Sequence, residues 1–135
     1  MFLVYKPSDG DEQRLKYNPN KMLSPEMEAI ERATGRGWSE FSTAVVEGNA
    51  LCRRALLWVM LKRQHPTLKF ADVSFTWEEV SLEYSRQEYE AMIEHVRTTG
   101  SGDDQANAID RFEAAMVDAI DEEEEAGKAR LPIAE

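Results

Sequence analysis

Cysteine is all but missing from this 135-residue chain. Cys52 stands alone, which excludes an internal disulfide and leaves no paired spacing for a zinc or redox site. Histidine is almost as scarce. His65 sits beside Pro66 at the end of an expected helix, and His95 among Glu94, Val96 and Arg97, so neither has the convergent partners that a general base or metal ligand needs. Long apolar runs are lacking too. The longest, Ala55 to Leu61, falls far short of the roughly 20 residues that cross a bilayer. The N-terminal Phe2-Leu-Val-Tyr5 is too short for a signal-peptide core before Lys6 and Pro7. Together these absences lead to the expectation of a cytoplasmic protein with no membrane span, no cofactor and no metal.

Positive charge is also in short supply, with 16 Lys and Arg against 26 Asp and Glu for a net charge of −10. Residues 1–100 hold 15 acids and 13 bases, whereas 101–135 hold 11 acids and 3 bases, so the acidity belongs to the C-terminal segment. Nucleic-acid affinity depends on cations that neutralise phosphates, so this balance points to protein partners, neutral or basic, and away from nucleic acid.

What remains is ordinary globular material. Hydrophobic residues make up 42% and charged residues 31%, enough for one buried core in a chain of this length. Phe2–Tyr5 and Leu15–Tyr17 flank Pro7-Ser-Asp-Gly-Asp11, whose Asp-Gly pair suits a tight turn, and a β-hairpin is expected there. Ser24-Pro25 opens a helix that runs to Thr34 and stops at Gly35, and Ser39 can cap a second bearing Phe41 and Val45. Asn49 can cap a third, running to about Gln64, which is apolar nearly all round and so belongs at the centre of the core.

Past an extended connector from Lys69 to Phe75, Thr76-Trp-Glu-Glu79 and Ser85-Arg-Gln-Glu88 both match the capping-box pattern and predict two further helices. The second of these carries Tyr89, Met92, Ile93 and Val96, and ends at Gly100-Ser-Gly102, expected to be a flexible joint. Ile109, Phe112, Met116 and Ile120 then form one stripe on a helix over 104–120, before the glutamates 122–125 end the pattern. The expected architecture is mainly α: a compact bundle of about five short helices, with a small N-terminal hairpin and a C-terminal acidic helix. Residues 1–100 would form the body and 101–135 an acidic appendage.

No catalytic constellation emerges, and no enzyme is expected. Cys52 lies inside the most apolar helix, where cysteine acts as a small hydrophobe. Asp9-Gly-Asp-Glu12 lacks the order of a calcium loop. Gly35-Arg-Gly37 follows a helix instead of a strand and reads as a helix stop. Glu78-Glu79 and Asp103-Asp104 suit helix N-termini, and the three tryptophans read as core. The stripe Ile109, Phe112, Met116, Ile120 has two open readings: it folds back on the body, or it presents an apolar face to a partner. Strand residues Phe2, Leu3, Val4 and Tyr5 likewise either pack on the helices or pair with another protomer, because a hairpin this short leaves an edge to cover.

A family resemblance adds to this reading. Tyr17-Asn-Pro-Asn-Lys-Met-Leu-Ser-Pro-Glu-Met-Glu-Ala-Ile-Glu-Arg-Ala-Thr-Gly35, then Trp38 to Glu47, then Ala50-Leu-Cys-Arg-Arg-Ala-Leu-Leu-Trp-Val-Met-Leu-Lys-Arg63, resemble the tail assembly chaperones of siphophages that infect actinobacteria. The shared pattern is a hairpin, an aromatic-x-Pro segment, Glu-x-x-x-Ile-Glu with Thr-Gly, and an Ala-Leu-rich helix ending in Lys-Arg before a proline. Pro66 to Phe75 continues it. The resemblance implies a protein that binds the long tape measure protein, keeps it soluble and helps recruit tail tube subunits. It further implies the short form of such a chaperone, a possible homo-oligomer, in the cytoplasm of the host bacterium and absent from the finished virion. The alternative is an acidic DNA mimic, or another small inhibitor that binds a protein.

Overall fold

The capped and proline-marked segments become six α-helices and a three-stranded antiparallel sheet in a computed structural model, which describes residues 1–130. In chain order these are β1 (Phe2–Tyr5), β2 (Gln13–Lys16), α1 (Ser24–Thr34), α2 (Trp38–Glu47), α3 (Ala50–Lys62), β3 (Val80–Glu83), α4 (Arg86–Thr99), α5 (Gly102–Met116) and α6 (Glu122–Arg130). The protein is mainly helical with a small N-terminal sheet and a C-terminal helix, as the sequence predicts. No helix among the described residues is long and apolar enough to cross a membrane.

The chain divides into two units: Leu3–Leu82, and Met1–Phe2 with Glu83 onward. In the first, α1, α2 and α3 pack against one another. Asn49 caps α3 through Oδ1, which accepts from the Cys52 N–H at 3.0 Å. Cys52, Ala55, Leu56, Leu57, Val59 and Met60 of α3 are all buried, which makes it the central helix of this unit. Arg63, just past its end, clamps α1 by donating to both oxygens of Glu26, at 2.7 and 3.1 Å. Gly35 ends α1 in the left-handed region, at φ 68°, where a side chain would be strained. The connector after α3 is pinned to it: Arg54 donates to the Val73 and Phe70 carbonyls at 2.6 and 3.0 Å, and Trp58 Nε1 to the Leu68 carbonyl at 3.0 Å.

Four expectations need correction. Thr76 to Glu79 does make its capping contact, Glu79 Oε1 accepting from the Thr76 N–H at 2.7 Å, but it closes only a single 3₁₀ turn. The chain then enters β3, so the sheet has the order β2-β1-β3. That order makes β1 the inner strand, with Phe2, Leu3 and Val4 at 3%, 0% and 2% exposure and Tyr5 half-buried. These four residues form no free edge on which another protomer could pair; the edges are β2 and β3.

The expected flexible joint is a built turn. Gly100 donates to the Val96 carbonyl at 2.8 Å, a Cβ placed on it would lie 2.9 Å from that oxygen, and Gln105 Nε2 donates to the Val96 and Arg97 carbonyls at 3.2 and 3.1 Å. The glutamates, finally, start a helix where the sequence pattern stopped. Asp121 Oδ1 caps α6 by accepting from the Glu123 and Glu124 N–H groups at 2.9 and 3.1 Å. Residues 131–135 of the expected appendage lie outside the described residues.

Candidate binding surface

The division at Leu82–Glu83 sorts the charge more sharply than a division at residue 100. Leu3–Leu82 holds eleven acids and eleven Lys or Arg, a net of zero, while the other unit holds fifteen acids and five Lys or Arg, a net of −10. The protein's entire net charge therefore sits on the unit that also carries the candidate stripe.

That unit is built on a helical hairpin in which α5 packs along α4. Ile109, Phe112 and Met116 share one face of α5, and all three are half-buried. Phe112 meets Tyr89 of α4 with ring centroids 6.3 Å apart, and Tyr89 meets Tyr84 edge-on at 5.7 Å. Ile120 is separate. The helix ends at Met116, and Ile120 is buried at 6% exposure in an isolated parallel bridge to Ser85. The stripe is thus folded back, with three members on α4 and the fourth displaced from the helix. No residue of α5 is fully buried, and Val117, just past its end, is 71% exposed.

The neutral unit shows apolar surface of its own. Trp77 is 53% exposed, against the expectation that every tryptophan is core. It lies over Arg53, 5.1 Å from guanidinium carbon to ring centroid, while Arg53 donates to the Val45 and Val46 carbonyls at 3.0 and 3.4 Å. Its place in the Thr76 capping turn was the signal that it stands outside the core. Trp38 and Trp58 are half-buried, Trp38 stacked on Phe41 at 5.1 Å. Pro25, Ala29 and Val59, with Lys62 and the Glu26–Arg63 pair, line a cleft of about 200 Å³ between α1 and α3, and Leu23 is exposed nearby in sequence.

Among the described residues no three His, Cys, Asp or Glu side chains come together as metal ligands would. Burial pushes the Cys52 thiol above its ordinary value, outweighing the opposing pull of Arg36, and so disfavours the thiolate a nucleophile needs. His65 and His95 are exposed. The acidic unit thus carries the half-buried apolar face of α5 among its carboxylates, and the neutral unit carries exposed apolar side chains of its own. Comparison with family models, with curated proteins and with solved structures gives no match for this chain.

Proposed function

We propose that the protein is a tail assembly chaperone of a long-tailed phage, which binds the tape measure protein, keeps it soluble during tail morphogenesis and helps recruit tail tube subunits. The family part of this proposal rests on the resemblance over roughly residues 15–76. The binding role rests on one observation: α5 presents Ile109, Phe112 and Met116 as a half-buried apolar face on the acidic unit, with no residue of the helix fully buried. Such a face can exchange its cover on α4 for a client helix at small cost in lost burial. The surrounding carboxylates would keep the unloaded protein soluble and favour a client with basic residues beside its apolar helix.

Co-expression with the tape measure protein of the same phage tests the proposal. A tape measure protein that is insoluble alone should become soluble and co-purify with the chain. If it stays insoluble and unbound, the proposal fails. A second reading, an acidic DNA mimic, draws on the concentration of all ten net charges in one unit. It predicts salt-sensitive binding to a DNA-binding protein in competition with DNA, and no solubilisation of the tape measure protein.

A further inference from the structure

α5 packs along α4, and hydrogen bonds fasten the returning chain at its two ends. Along the length, Phe112 and Tyr89 meet with both rings half-buried, and Arg97 lies 4.0 Å from Glu113 with both side chains more than half exposed. Exposed pairs of this kind contribute little. At one end is the Gly100–Gly102 turn. At the other, just beyond α5, two helix N-termini are joined.

Ser85 is fully buried and works in two directions. Its Oγ accepts from the Glu88 N–H at 3.1 Å, capping α4, and donates to Glu122 Oε2 at 2.6 Å, at the start of α6. The Arg86 N–H donates to the Ile120 carbonyl at 2.8 Å. Gln87 completes the junction: its Oε1 accepts from the Glu122 N–H at 3.0 Å, and its Nε2 donates to Asp121 Oδ1 at 3.4 Å. Ile120 is buried here, while α5 itself buries no residue fully. The tightest burial of the returning chain therefore coincides with its polar junction.

We infer that this junction of Ser85 and Gln87 with Ile120, Asp121 and Glu122 is a releasable clasp that holds the α5 stripe closed on α4. Opening it lets α5 leave α4 about the Gly100–Gly102 turn, which uncovers Ile109, Phe112 and Met116 together with the Tyr89 face. The clasp is polar and lies at the ends of helices, so a partner with basic residues can compete for Glu122 while its apolar side chains take up the stripe. In its purpose this rests on the stripe being the client surface, but its test does not.

Hydrogen–deuterium exchange on the full chain tests the clasp without any client. Gln87 is the informative position, because among the described residues its side chain bonds to Asp121 and Glu122, and its loss leaves the Ser85 cap of α4 in place. In Gln87→Ala combined with Glu122→Ala, amides of α5 should exchange about tenfold faster than in the parent, since three of the junction's modest hydrogen bonds are lost. Amides of α1–α3 should keep their rates. Unchanged exchange in α5, or faster exchange in α5 only in step with α1–α3, would overturn the clasp. If α5 opens as expected and the variant binds the tape measure protein no more tightly than the parent, the clasp stands and the client surface lies elsewhere.

Discussion

Replacing Leu57 by alanine is the sharpest test of how the neutral unit is built. Leu57 has no exposed surface and lies on the helix that meets both α1 and α2. The change removes three carbons, worth about 2 kcal/mol in transfer alone at roughly 0.8 kcal/mol per buried carbon. The void left among the buried side chains of α3 and its neighbours adds to this, for a total of about 2–5 kcal/mol. In a unit of this size each kcal/mol lowers the melting temperature by roughly 4–8 °C, so a drop of about 8–40 °C is expected. Tryptophan fluorescence suits the assay, because Trp38, Trp58 and Trp77 all belong to Leu3–Leu82 and report that unit alone. Leu51→Ala serves as the control: at 41% exposure on the same helix it should cost about 0.5 kcal/mol or less. Equal effects from the two substitutions would refute the central placement of α3.

Three further outcomes are expected. Gly100→Ala should destabilise the α4–α5 hairpin by about 1–3 kcal/mol, because the new methyl would lie 2.9 Å from the Val96 carbonyl; unchanged amide exchange in α5 would contradict this. Tyr17→Phe should leave the tryptophan-monitored melt unchanged or raise it by about 1 kcal/mol, because the hydroxyl is buried with no hydrogen-bond partner among the described residues; a clear loss of stability would show that the hydroxyl has a partner. The hydrogen bond from Arg63 holds the Glu26 carboxyl below its usual value of 4.5, so its stabilisation is complete above that pH and lost as pH falls through the lowered value. Both side chains retain some solvent exposure, so Glu26→Gln should cost about 1 kcal/mol or less at neutral pH, and the difference from the parent should vanish in acid.

Much of this architecture is legible in the sequence wherever the signal is local. Asn49 and Ser85 cap the helices they were expected to cap, and the apolar run of α3 is central as its lack of a polar stripe requires. Pairings distant in sequence stayed hidden. Val80–Glu83 is only four residues long, and it becomes a strand through pairing with β1 nearly eighty residues earlier, which no local pattern can reveal. Its neighbour Thr76–Glu79 has real capping chemistry that is satisfied by one turn, so a correct motif led to a helix too long. The stripe was visible as spacing, yet spacing could not show that Ile120 leaves the helix to meet Ser85. The acidic run ends the apolar stripe and also starts a helix, since acids in a first turn favour a helix start and Asp121 supplies the cap.

The central claim, that the α5 stripe captures the tape measure protein, is tested most directly by measuring client binding to Phe112→Asp combined with Met116→Asp. Both side chains lie half-buried on the α4-facing side of α5, so the two carboxylates weaken the closed hairpin and remove the contact face together, while the tryptophan-monitored melt of Leu3–Leu82 should stay unchanged. In a pull-down from cells that make both proteins, the double variant should neither retain nor solubilise a tape measure protein that the parent chain holds. Undiminished capture by the double variant would contradict the claim and assign the client to the neutral unit.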